Sequence, residues 1–388
     1  MKKVSDIMLS LLASEVCSAP FPEGIEKEFN DKILAALFKI SKLHDMAHIV
    51  SYALEKKGIL PESEIAEQFK NEHLMAFFRC QKQVFELERI CCALEEAKIK
   101  HIPLKGSVLR DFYPENWLRT SCDIDILVEK SEIKRAAEVL KKKIGAKYDG
   151  ESRHDIAFYT DNKIKLELHY GLVADNRNYK FEEELLKVWD YVKPYKDWKY
   201  RYLLTDEMFY LYHIAHIAVH FKEGGCGVKP LLDLFLMERN MNFDEEKRQE
   251  LLTNSGLLKC SEAIKSLSEV WFGGKEPTEQ TVKMADYILI GGVYGSVANR
   301  IILQNELSKG KGRYLLSRIF LPFDRLKYQY PILQKNKWLY PLFTLVRWSR
   351  LIFVRGNTKR QLTELKYVNG VEGAVPDEMQ NMLKDMDI

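Results

Sequence analysis

The spacing of apolar residues changes twice along this chain, and each change marks a different kind of structure. Up to about residue 97 the period is helical, as in Ile33-Leu-Ala-Ala-Leu-Phe38 and Met75-Ala-Phe-Phe78. Pro61-Glu-Ser-Glu64 reads as a cap before the third helical stretch, and the last of these helices, Val84 to Ala97, feeds a strand at 101–105. Pro103 has no N–H to give a neighbouring strand, so that strand is expected at a sheet edge. From there to about residue 172 strand and helix mix: a helix at 107–113, a strand at 123–128, a helix at 131–143, then a hairpin of 156–160 and 163–170 turning on Asp161-Asn162. After about residue 200 the helical period returns, beginning with Asp206-Glu-Met-Phe-Tyr-Leu-Tyr-His213. The pattern predicts an α+β protein: a small mixed-sheet core at 98–199, flanked by helical regions at 1–97 and 200–388.

Chemistry concentrates on the middle strands. In Thr120-Ser-Cys-Asp-Ile-Asp-Ile-Leu-Val128, alternation puts Asp123 and Asp125 on one face and Ile124, Ile126 and Val128 on the other. Two like charges this close repel unless a cation neutralises them, and hard oxygen ligands suit Mg²⁺. Ile164-Lys-Leu-Glu-Leu-His-Tyr170 alternates as strictly, with Lys165, Glu167 and His169 opposite its apolar face. Glu167 becomes a third carboxylate of the set if the two strands are neighbours. Upstream, Ile102-Pro-Leu-Lys-Gly-Ser-Val-Leu-Arg110 reads as a strand ending at Lys105, a turn at Gly106-Ser107 and a helix start. Gly106 permits close backbone approach, Ser107 offers a hydroxyl, and the N–H groups of a new helix attract anions, which makes this a candidate phosphate seat.

Lys105-Gly106-Ser107, Arg119, Asp123-x-Asp125 with its hydrophobic strand, and Glu167-Leu-His169 together resemble the uncharacterised nucleotidyltransferases of the polymerase-β-like superfamily. The motif-bearing likeness covers about residues 84–172, with a weaker echo from His213 to Asp233. The resemblance implies that Asp123, Asp125 and Glu167 are catalytic and hold two Mg²⁺ ions, and that Lys105, Gly106, Ser107 and Arg119 bind the nucleoside triphosphate. It also implies transfer of a nucleoside monophosphate to a hydroxyl acceptor, with release of pyrophosphate. The acceptor stays open between small molecule, RNA and protein.

The remaining features narrow the setting. Seven cysteines in no C-x-x-C spacing argue against a disulfide framework and a zinc knuckle, and Cys122 reads as a small buried thiol at a strand start. Asp6 and Glu15 interrupt what would be the apolar part of a signal peptide, and no stretch reads as a transmembrane segment, so a cytoplasmic protein is expected. His213, His216 and His220 share a helix face, where packing or a cleft wall is the leading reading ahead of substrate or metal contact. Between Lys309 and Arg360 there are thirteen Lys or Arg and a single acidic residue, Asp324, interleaved with aromatics. Amphipathic helices with arginines facing water explain this stretch, and RNA binding is the alternative. A catalytically inactive nucleotide- or partner-binding protein of the same fold is the other alternative, although the carboxylate set is complete.

Overall fold

The computed structural model describes residues 2–21, 23–152, 154–173, 179–293, 295, 320–323, 326–327, 330, 332–353 and 376–388. It opens with helices α1 (Lys2–Val16), α2 (Asp31–Leu43), α3 (Ala47–Lys56) and the long α4 (Glu64–Glu96). Ser63 caps α4 by accepting from the Ala66 N–H, as the cap-like sequence before it predicts. The chain then runs through β1 (His101–Pro103), one helical turn α5 (Gly106–Leu109), β2 (Asp123–Val128), α6 (Ile133–Ile144), β3 (Lys147–Glu151), β4 (Asp155–Tyr159) and β5 (Lys165–His169). After α7 (Phe181–Leu185) and a small ribbon of β6 (Val192–Pro194) and β7 (Tyr202–Leu204) come α8 (Asp206–Lys222), α9 (Lys229–Asn240), α10 (Glu245–Ser255), α11 (Leu258–Phe272) and α12 (Glu279–Gly291). Three further helices are described, α13 (Ile332–Lys335), α14 (Tyr340–Phe353) and α15 (Pro376–Asp385). Most of the remaining basic stretch 309–360, Arg355 included, lies outside the described residues.

The five-stranded sheet has the order β1-β2-β5-β4-β3 and is mixed. β2 and β5 run parallel, while β1 with β2, β5 with β4, and β4 with β3 are antiparallel. Pro103 sits in the edge strand β1, where its missing N–H costs nothing. The opposite edge, β3, escapes a reading by pattern because Lys-Tyr-Asp-Gly-Glu has no apolar alternation, its residues are half-exposed or exposed, and its register shifts between Tyr148 and Gly150.

Each face of the sheet has its own surroundings. Ile124, Ile126, Val128, Phe158, Leu166 and Leu168 are buried against Leu87, Ile90 and Leu94 of α4 and Ala136, Leu140 and Ile144 of α6. Full burial of each aliphatic side chain there contributes about 1.5–3 kcal/mol. The other face meets a larger core that joins α1–α3 and the first half of α4 to α8–α12. The N-terminal and C-terminal helices therefore share one hydrophobic core, and the sheet is set into its side.

The segment between α5 and β2 is fixed from several directions. Trp117 is buried, edge-on to Tyr52 of α3 and stacked on His73 of α4. Thr120 donates to Asp45, which also takes an ion pair from Lys229 of α9. Arg119 donates to both carboxylate oxygens of Asp233, at 2.7 and 2.8 Å, and Tyr113 donates to the same carboxylate at 2.8 Å. Asp233 is 1% exposed, so removing it strands a guanidinium and a phenol away from water. Asp233→Ala is expected to lose about 3–5 kcal/mol in urea unfolding, and an apolar Arg119→Met, Asp233→Leu pair is expected to regain most of that loss.

Candidate functional site

The carboxylates meet because β2 and β5 are parallel neighbours in one register. Asp123 lies opposite Lys165 and Asp125 opposite Glu167, and alternation turns all four side chains to the face away from the α4–α6 core. Asp125 is almost fully buried and accepts from Lys105 Nζ and from His169 Nε2, both at 2.8 Å on the same Oδ1. Glu167 accepts from Lys165 Nζ at 2.5 Å, and its other oxygen lies 3.7 Å from His169 Nε2.

The charges divide unevenly. Burial pushes the Asp125 carboxyl up, but the Lys105 ammonium and the His169 ring overcome it and hold the group well below the usual carboxylate range. Asp123 moves the other way: burial, then the charges of Asp125 and Glu167, push its carboxyl up to about 6. On Lys105 burial is outweighed by Asp125, which raises the ammonium well above its ordinary value. Lys105 thus stays charged on Asp125 while Asp123 carries the repulsion of the cluster.

Gly106 and Ser107 complete one side. A Cβ at Gly106 would meet Ser121 Cβ at 3.1 Å and the Arg119 guanidinium at 3.4 Å, so glycine lets the turn lie against the strand entrance. Gln83 of α4 fastens the same place, donating to Ser121 O and accepting from the Ser121 hydroxyl and from Arg110. The Ser107 hydroxyl is buried and has no hydrogen-bond partner among the described residues. The helix expected over 107–113 is a single turn that passes into a 3-10 turn, Arg110–Phe112. Its Ser107 and Val108 N–H groups already donate to Leu104 O and Lys105 O. The Ser107 side-chain hydroxyl, unlike these two N–H groups, is an open donor at the turn.

The other candidates divide. Arg119, expected on a triphosphate, lies against the Gly106 turn, and its guanidinium donates to Asp233 and to Thr120 O, which also ties down the segment before β2. Cys122, expected to be buried, is exposed, because it stands ahead of the strand and beyond the apolar face that would have covered it. The three histidines separate: His213 bonds to Pro230 O, whereas His216 and His220 bond to each other at 3.1 Å. Burial, then the charges of His220 and Lys105, drive His216 well below its ordinary pKa. Tyr212, one helical turn before His216, is buried with its hydroxyl against Lys105, and burial raises its pKa. Sequence reasoning missed it, although its spacing from His216 on α8 is the signal that finds it.

As possible metal ligands, Asp125, Glu167 and His169 each offer an atom, all within 4.8 Å of one another. Burial, and after it the charges of Asp125 and Glu167, raise the Asp123 pKa, and two carboxylates with one imidazole offer a donor set that fits a divalent cation. A D-x-D strand beside a carboxylate strand, with a Gly-Ser turn at the sheet's edge, is the arrangement that the motif resemblance to nucleotidyltransferases leads one to expect. The family model described as uncharacterised nucleotidyltransferase matches residues 33–273, well over half of the chain, and the protein belongs to that family. Comparison with curated proteins and with solved structures gives no match.

The pKa of Asp123 sets a pH signature. A carboxyl near 6 in the folded protein against about 3.9 in an unfolded chain keeps its proton longer when folded, so its ionisation costs stability as pH rises through that window. Without metal, Asp123→Asn is expected to raise the melting temperature more at pH 7.5 than at pH 4.5. Added Mg²⁺ is expected to stabilise the parent more than the variant, read by the same melts.

Proposed function

We propose that this protein transfers a nucleoside monophosphate from a nucleoside triphosphate to a hydroxyl acceptor, with Mg²⁺ held by Asp123, Asp125 and Glu167. The observation that supports the reading is the register Asp125 opposite Glu167, with Asp123 two residues earlier on the same face of β2, together with a buried Ser107 hydroxyl that has no hydrogen-bond partner among the described residues. Bound Mg²⁺ would supply an activated hydroxyl oxygen and charge neutralisation on the phosphates.

The chain's own residues do the rest. Ser107 donates to a phosphate oxygen, and Gly106 lets the phosphates approach the turn without a side chain between. Lys105 faces the same space and offsets charge that builds on the leaving group. The acceptor oxygen forms its bond to the α-phosphorus as the bond to the β-phosphate oxygen breaks, and pyrophosphate departs. Glu167 takes the hydroxyl proton, directly or through water, with Lys165 holding it in place. Arg119 works through position: with Asp233 it fixes the segment that delivers Asp123 to the sheet.

Incubation of the protein with each α-labelled nucleotide, Mg²⁺ and a cell extract tests the reading, because label on a small molecule, an RNA or a protein reports base and acceptor together. Transfer is expected with one or more nucleotides and is expected to be lost in Asp123→Asn and Glu167→Gln, both of which should still melt cooperatively. Full activity in either variant overturns the mechanism, and nucleotide binding without transfer by the parent protein points to an inactive member of the family.

A further inference from the structure

His169 uses only one of its ring nitrogens in the carboxylate site. Nε2 is turned to Asp125, and Nδ1, on the other side of the ring, is buried without a partner among the described residues. That side faces β4. Asp155 is the cross-strand partner of His169, and the His154 ring lies tilted against the His169 ring with centroids 5.4 Å apart. His154, Asp155 and His169 each present a ligand atom, all within 4.8 Å of one another.

The groups behind these three already stand where a metal centre needs them. A ligating histidine commonly donates its second N–H to a carboxylate, which fixes the tautomer and leaves the other lone pair for the ion. His169 does this with Asp125. The Ser152 hydroxyl lies 3.3 Å from His154 Nδ1 and also bonds Asp155, which leaves His154 Nε2 for the ion. His154 Nε2 and Asp155 Oδ2 are 3.5 Å apart, close to the edge of a tetrahedron whose bonds are about 2.0–2.2 Å. His154 also lines a cavity of about 500 Å³ with Tyr170, Gly171 and Lys130, which opens the His154 side of the group to an incoming ion.

We infer that His154, Asp155 and His169 form a second metal centre, built for Zn²⁺, beside the oxygen-rich carboxylate site and joined to it through His169 and Asp125. Two imidazoles and one carboxylate suit a borderline ion, whereas Mg²⁺ prefers oxygen alone. The division of labour is by ligand softness: one centre takes the hard ion, the other the borderline one. Nothing in it depends on nucleotidyl transfer.

Co²⁺, which reports geometry through its visible absorption, is the probe. The full-length protein, stripped with chelator and titrated with Co²⁺ in the absence of nucleotide and Mg²⁺, is expected to bind one equivalent with the intense band of four- or five-fold coordination, and Zn²⁺ is expected to displace it. His154→Ala and Asp155→Asn should each weaken binding by about 10-fold or more, while Asp123→Asn leaves it within about twofold. If a variant fails to fold, X-ray absorption on the Zn²⁺-loaded parent decides, with two imidazole nitrogens expected at about 2.0–2.1 Å. Absence of the band, unchanged affinity in His154→Ala, an ion lost with Asp123→Asn instead, or an all-oxygen shell overturns the inference. Failure of the transfer assay leaves these readings intact, so the two proposals fail separately.

Discussion

The parallel pairing of β2 with β5 is the constraint on which the site depends. Side chains alternate along a strand, so a slip of one residue would turn Asp125 and Glu167 into the apolar core and bring Ile124 and Leu166 out onto the polar face. Ile124, Ile126, Leu166 and Leu168 forbid it, because all four are fully buried on the opposite face. The hydrophobic face therefore sets the geometry of the polar one, and packing energy far from any reacting atom decides which carboxylates meet.

A second element delivers those strands to the right place. The stretch from Tyr113 to Thr120 is clasped by α3 and α4 through Trp117, by the start of α3 through Asp45, and by α9 through Asp233. It crosses from the sheet to the helical core and returns at Asp123. The carboxylate face consequently lies where the two cores meet, with α8 supplying Tyr212 and His216 from the far side.

How much of this is legible in the sequence depends on the range of the interaction. Strict alternation in 123–128 and 164–170 reveals which side chains share a face, and Pro103 reveals an edge, because both are local rules. The α+β class follows from the same periods, and the face shared by Asp123, Asp125 and Glu167 needs only the strand neighbours to be known. Arg119 shows where local reading ends: its partner Asp233 is 114 positions away, and nothing near Arg119 announces the ion pair that ties the segment before β2 to α9. β3 is invisible for another reason, since a polar edge strand has no alternation to read. His154 is hidden because its significance lies across the sheet, against a ring on β5.

Lys105 has a cost that its side chain conceals. Its backbone sits at φ 45° and ψ −121°, a conformation that glycine adopts freely and a lysine only with about 1–3 kcal/mol of strain. The ammonium that reaches Asp125 and the turn that seats Gly106 both issue from this one residue. Glycine would be the comfortable choice for the backbone and would leave the buried carboxylate with a histidine alone. At this position conformational ease and chemistry are rivals, and a selection for thermal robustness alone would press the chain toward a quieter turn and a less useful protein.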